Sequence, residues 1–198
     1  GMNMKIIIFG CGKIGTTIIS ALSGEGHDIV AVDRNPQVVE ELTTTYDVIG
    51  LCGDGVDSDT LTEAGADDAE LFVAVTPHES RNITSCVLAH YLGAAKTVAR
   101  IDNYEYLMPK HKEYFKSLGV DSLIYPEQLA AEEIATNIRY SWMRQMLEFG
   151  DGALVMVGVK VRDNASILNI PFKELVRDIP YHIVAIQRGD ETIIPRGN

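Results

Sequence analysis

The chain has 198 residues, 46% of them hydrophobic, and a formal net charge of −11. That length suits one full domain plus a smaller one, and the apolar content excludes a disordered chain. The acidic balance argues against general nucleic-acid binding and against docking on anionic lipid, both of which need a basic surface.

The first predicted strand, residues 4–9, runs through Lys5-Ile6-Ile7-Ile8-Phe9 straight into Gly10-Cys11-Gly12-Lys13-Ile14-Gly15. A helical pattern follows over 13–23, with Ile14, Ile18 and Leu22 on one face. Gly-x-Gly-x-x-Gly between a buried strand and a helix is a phosphate-binding arrangement. Gly10 allows the tight turn, Gly12 lets a phosphate approach the backbone, and Gly15 lets the helix pack close to the strand. The helix aims its free N–H groups and the positive end of its dipole at the phosphates. Lys13 either reaches a terminal phosphate or is a neutral helix-start residue. Cys11 lies near a helix N-terminus, which can lower a thiol pKa; the plainer reading, that this position tolerates many residues, is preferred.

The second strand, 28–33, ends in Asp33. It lies about 20 residues past the glycines, where an acid accepts hydrogen bonds from ribose hydroxyls and disfavours a 2′-phosphate. Arg34 caps the adenine face or partly offsets that repulsion; in the plainer alternative Asp33 only begins a turn with Asn35 and Pro36. Asn35 and Pro36 then start a helix over 36–45. A third strand at 47–51 leads to Gly53-Asp54-Gly55, where Gly53 allows close approach and Asp54 contacts base or ribose, or where the chain simply turns into a helix at 57–64.

The fourth strand, 70–75, ends at Thr76-Pro77, whose backbone can line the ribose. Thr76 and Glu79 also have capping-box spacing for a helix over 78–92. Arg100 ends the fifth strand, 96–101, where it pairs with phosphate or balances acids such as Asp102. Asp102 and Glu105 repeat the capping spacing before a helix at 104–118, and a sixth strand covers 120–125. This alternation predicts the α/β class: a Rossmann-like doubly wound parallel sheet with right-handed crossovers, binding ligands beyond the carboxyl ends of its strands.

From Pro126 a longer helical pattern runs to about residue 146, with Ile134, Ile138, Trp142 and Met146 in one stripe. A crossover helix in a subunit interface is expected, ahead of simple packing back onto the first domain. Beyond Phe149-Gly150-Asp151-Gly152 the chain reads as a small partial α+β unit, with strands at 154–161, 182–187 and 192–194 and a short helix near 172–176. So few strands predict a second domain that is cut short.

No apolar run approaches the ~20 residues that span a bilayer, no signal segment is recognisable, and Cys11, Cys52 and Cys86 show neither a disulfide framework nor metal-ligand spacing. A cytoplasmic location is expected. The five histidines are scattered, and no Ser-His-Asp spacing or P-loop ending is present. An enzyme is therefore not expected. The alternative, an NAD-dependent oxidoreductase, lacks a substrate domain and a proton-transfer group beside the nicotinamide; a third possibility is a scaffold with a vestigial pocket.

Several segments carry a resemblance beyond the glycines. They are Gly53-Asp54, Ala64-Gly65-Ala66-Asp67-Asp68-Ala69, Val73-Ala74-Val75-Thr76, Asn82, Ala99-Arg100-Ile101, Asp121-Ser122-Leu123-Ile124-Tyr125-Pro126-Glu127-Gln128-Leu129-Ala130 and Ile194-Pro195-Arg196-Gly197. Together they resemble the RCK (KTN) regulators of potassium channels and transporters, over essentially the whole chain. The resemblance implies an RCK-N Rossmann domain over 2–125, a crossover helix over 126–148 and a truncated RCK-C domain over 149–198. It implies binding of NAD(H) or ATP/ADP at Gly10 to Ile14, Asp33, Gly53, Asp54, Thr76, Pro77 and Arg100, with no metal claimed. It further implies a homodimer that assembles into a ring beneath a membrane potassium-translocating subunit of the TrkH/KtrB type, peripheral on the inner face of the cell membrane.

Overall fold

Lys5–Phe9 forms the central strand β1, and its residues alternate between two hydrophobic layers. Ile7 and Phe9 point into one, Ile6 and Ile8 into the other. A strand buried on both faces has no solvent side, which is why it reads as an unbroken apolar run. The computed structural model describes residues 3–126, 135, 136, 138, 155–157, 185–188 and 191–193.

The other strands of the first unit are β2 (Asp28–Asp33), β3 (Ile49–Cys52), β4 (Leu71–Ala74), β5 (Thr97–Arg100) and β6 (Ser122–Tyr125). They are all parallel, in the order β3-β2-β1-β4-β5-β6. The direction of winding reverses between β1 and β4, which opens a crevice at the carboxyl edge. The helices are α1 (Lys13–Ser23), α2 (Pro36–Thr45), α3 (Ser58–Glu63), α4 (Glu79–Leu92) and α5 (Pro109–Ser117). Ile18, Ile19 and Leu22 of α1 and Leu42 of α2 fill the layer against Ile6 and Ile8. Leu61 of α3, Cys86 and Ala89 of α4 and Phe115 of α5 fill the other. Each large side chain buried this way contributes roughly 2 kcal/mol. Three short strands, β7 (Val155–Val157), β8 (Ala185–Arg188) and β9 (Glu191–Ile193), continue the sheet beyond β6.

Four expectations need correction. The helix foreseen over 104–118 is a 3-10 turn at Tyr104–Leu107 followed by α5. Pro109 disfavours helical backbone at the residue before it, and Met108 is extended (φ −64°, ψ 141°). That turn is capped by Asn103, which accepts from the Glu105 amide, and not by Asp102. Thr76 and Glu79 do not form a capping box: His78 occupies the cap position with no side-chain bond. The Thr76 hydroxyl accepts from the His78 amide (3.1 Å) ahead of the helix and donates to Asn82 Oδ1 at 2.6 Å. Finally Ile138, placed by its stripe in a subunit interface, is buried with Ala135 in the layer formed by α1 and β1. The rest of that stripe, and the predicted helix near 172–176, lie outside the described residues.

Candidate nucleotide site at the carboxyl edge

The glycine turn shows why each of its glycines is there. Gly10 has a left-handed φ of +94°, and a Cβ on it would lie 2.7 Å from the Thr76 amide nitrogen. A Cβ on Gly15 would lie 1.9 Å from the Gly10 carbonyl oxygen, so α1 rests directly on the backbone of the turn. Gly12 is different. A Cβ there would meet nothing within 4 Å, and no side chain caps α1. The first-turn amides of a helix need acceptors from outside it, and beside them the Gly12 face is open among the described residues. Phosphate oxygens fit that cradle.

Asp33 stands beside it. Its Oδ2 accepts a 2.8 Å bond from the Cys11 amide, and its Oδ1 accepts one of 2.8 Å from the Asn35 amide. Each carboxylate oxygen retains a further lone pair for a ribose hydroxyl. The Cys11 thiol takes no part: it is buried toward the Val32 carbonyl, and burial, then the Asp33 charge, push its pKa up to about 12. The helix N-terminus therefore does not activate it. Ile14 packs half-buried against the α1 layer, while Lys13 and Pro77 are exposed.

The strand-end loops are tied together by the first turns of α4, which sequence reasoning passed over. Asn82, fully buried, accepts from the Thr76 amide (3.0 Å) and hydroxyl, and donates to the carbonyls of Thr76 (2.9 Å) and Arg100 (3.0 Å). Glu79 accepts from the amides of Asp102 (2.7 Å) and Asn103 (2.8 Å). Arg81 donates to Asp54 Oδ2 at 2.6 Å. Asp54 Oδ1 accepts from the Val56 amide at 3.2 Å, making the turn that precedes α3. Burial raises the Asp54 pKa, but Arg81, the Val56 amide and Arg34 outweigh it and hold the carboxyl below its usual range. Gly53 lets α3 pack close, since a Cβ on it would lie 2.7 Å from the Thr60 methyl. The Arg100 guanidinium makes no ion pair among the described residues; burial lowers its pKa, with Asp102 opposing. An isolated, half-buried cation at a strand end is suited to an anionic ligand. Asn82 had a sequence signal as part of the resemblance, Glu79 and Asp54 had signals for other roles, and Arg81 had none.

A groove of about 550 Å³ lies at the opposite end of the sheet, lined by Lys5, Ile7, Val30, Leu51 and Asp68 among others. It belongs to the amino ends of the strands, away from the glycine turn and Asp33.

A parallel sheet reversing at a glycine turn, with an acid closing β2, defines a dinucleotide-fold binding domain. Residues 6–126 match the TrkA-N domain, and the chain belongs to that family. It is 29% identical to a Trk system potassium uptake protein TrkA homolog of Methanothermobacter thermautotrophicus, over 98% of this chain and 87% of that protein. It is 36% identical to the Trk system potassium uptake protein TrkA of Vibrio alginolyticus, over 98% of this chain and 43% of that protein. The chain thus spans less than half the length of that relative. Among solved structures, the GsuK channel bound to NAD shares the fold, with a TM-score of 0.53 at 18% identity over 79% of this chain and 26% of that one. Among the described residues no helix is long and apolar enough to cross a membrane.

Proposed function

We propose that this chain is a nucleotide-sensing regulatory subunit of a potassium-uptake system. An adenine nucleotide, NAD(H) or ATP/ADP, lies across the carboxyl edge, its phosphates over Gly12 and the start of α1 and its ribose hydroxyls on Asp33. Arg100 serves an anionic group further along the edge. The observation that carries this reading is the open face of Gly12 beside a carboxylate already fixed by the Cys11 and Asn35 amides. A scaffold with a vestigial pocket has no need to keep that approach clear.

The residues bind and orient; no group among them is arranged to move a proton or hydride at a substrate, and the NAD of the GsuK structure belongs to a channel. Regulation then follows from differential affinity. A ligand shifts two arrangements of a dimer only to the extent that it binds one better than the other. The partner is a membrane potassium-translocating subunit of the TrkH/KtrB type, and the chain works as a homodimer within a ring on the cytoplasmic face. Its organisation is an RCK-N unit over 2–125, a crossover helix over 126–148 and an RCK-C portion over 149–198. Calorimetry with NAD, NADH, ATP and ADP tests the reading. At least one binds more tightly than about 1 mM, and Asp33→Ala weakens it about tenfold or more, as loss of hydrogen bonds to a charged acceptor requires. Absence of binding by all four sinks the proposal.

A further inference from the structure

Asp54 sits between two guanidinium groups. Its Oδ2 receives Arg81 Nη1 at 2.6 Å, and Arg34 Nε lies 3.8 Å from the same oxygen. The Asp54 side chain is 28% exposed and the Arg34 side chain 60%. Asp54, also held by the Val56 amide, is therefore the fixed member and Arg34 the movable one. Arg34 directly follows the acid that closes β2. In dinucleotide folds an arginine near that acid is the group that accommodates a 2′-phosphate.

Resting on the nucleotide reading above, we propose that Asp54, anchored by Arg81, is a specificity-determining residue: it draws Arg34 off the 2′ position, so that the site takes adenine nucleotides with a free 2′-hydroxyl and rejects their 2′-phosphorylated counterparts. A 2′-phosphate would bring close to two negative charges beside Asp33. The cation that follows Asp33, Arg34, already lies against a second carboxylate, Asp54. Arg81 is a positioning residue: it acts by fixing Asp54 and makes no ligand contact of its own.

The test measures affinities for NAD and NADP by calorimetry, repeated with adenosine 5′-monophosphate and adenosine 2′,5′-bisphosphate so that the nicotinamide end is irrelevant. The wild-type protein prefers the 2′-hydroxyl member of each pair by about tenfold or more. Asp54→Asn shrinks that preference by about fivefold or more, and adding Arg34→Ala to it restores the wild-type ratio, the non-additivity expected of coupled neighbours. Arg34→Ala alone leaves the ratio within about twofold, because Arg34 is already engaged. A simple packing role for Asp54 would change both affinities together and leave their ratio fixed. An unchanged ratio in folded Asp54→Asn, or equal wild-type affinity for both members, overturns this inference while leaving the nucleotide reading standing. Should Asp54→Asn fail to fold, a strong shift of the ratio in Arg34→Ala overturns it. Failure of the wild type to bind any of the four compounds overturns both.

Discussion

The two ends of the sheet make an instructive pair. At the carboxyl end, Asp33, Asp54, Thr76 and Asn82 are each engaged by backbone amides or by a neighbouring loop, while the face of Gly12 is open among the described residues. At the amino end a groove of about 550 Å³ has an apolar floor of Ile7, Val30 and Leu51 and an exposed Lys5–Asp68 ion pair at its rim. Those two charged side chains pair with each other. The carboxyl end has these polar groups fixed by the chain's own hydrogen bonds, so little side-chain ordering is left to oppose a ligand. What distinguishes a site is this fixing of polar groups, and volume is a poor guide to it.

Four substitutions test that contrast. The largest effect belongs to Gly15→Val, whose Cβ would lie 1.9 Å from the Gly10 oxygen. Overpacking against backbone has no side chain to yield, and urea unfolding should show a loss of about 3 kcal/mol or failure to fold. Asn82→Ala follows. It strands two carbonyls and a buried amide, and a loss of about 2–3 kcal/mol is expected in the same measurement. Gly12→Ala should leave stability within about 1 kcal/mol, since the position is sterically free, yet weaken nucleotide binding about tenfold. Its control at the other end, Lys5→Ala, should leave nucleotide affinity unchanged in calorimetry. A Lys5 effect equal to that of Gly12 would erase the distinction between the two ends.

The smallest effect is a pH dependence. The folded-state pKa of Asp54 is lowered, so its contribution to stability is present above the unfolded carboxylate pKa and lost as pH falls through the folded value. The difference in unfolding free energy between wild type and Asp54→Asn should be flat from about pH 7 to 5 and shrink below about pH 4. Solvent screening of this partly exposed pair keeps it under about 1 kcal/mol. A difference that grows on acidification would contradict the assignment.

Most of the first unit was legible in the sequence because local signals and burial agree there. The run Ile6-Ile7-Ile8 needs both faces covered, and the sheet covers both. Asn35 and Pro36 cap α2 as their chemistry dictates, with the Asn35 side chain accepting from the Gln37 amide. The three turn glycines and Asp33 all fall at the carboxyl edge. What sequence could not give was competition among partners. Thr76 had the spacing of a cap, but its hydroxyl accepts from the His78 amide in a turn ahead of α4 and donates to the buried Asn82. Glu79 had the spacing of a cap partner and instead holds the chain after β5. The close approach of the Thr60 methyl of α3 to Gly53 also has no local sequence signal. Arg81 carries no motif at all, and only the folding of α4 across the strand ends brings it to Asp54.

The contact between Gly15 and the Gly10 carbonyl has a mechanical consequence. With no side chain interposed, there is no soft cushion between the turn and α1, and a push on one is a push on the other. Helix α1 shares its buried layer with Ala135 and Ile138. A stiff element is thus anchored at one end in the glycine turn and shares its buried layer with two residues that follow the first unit.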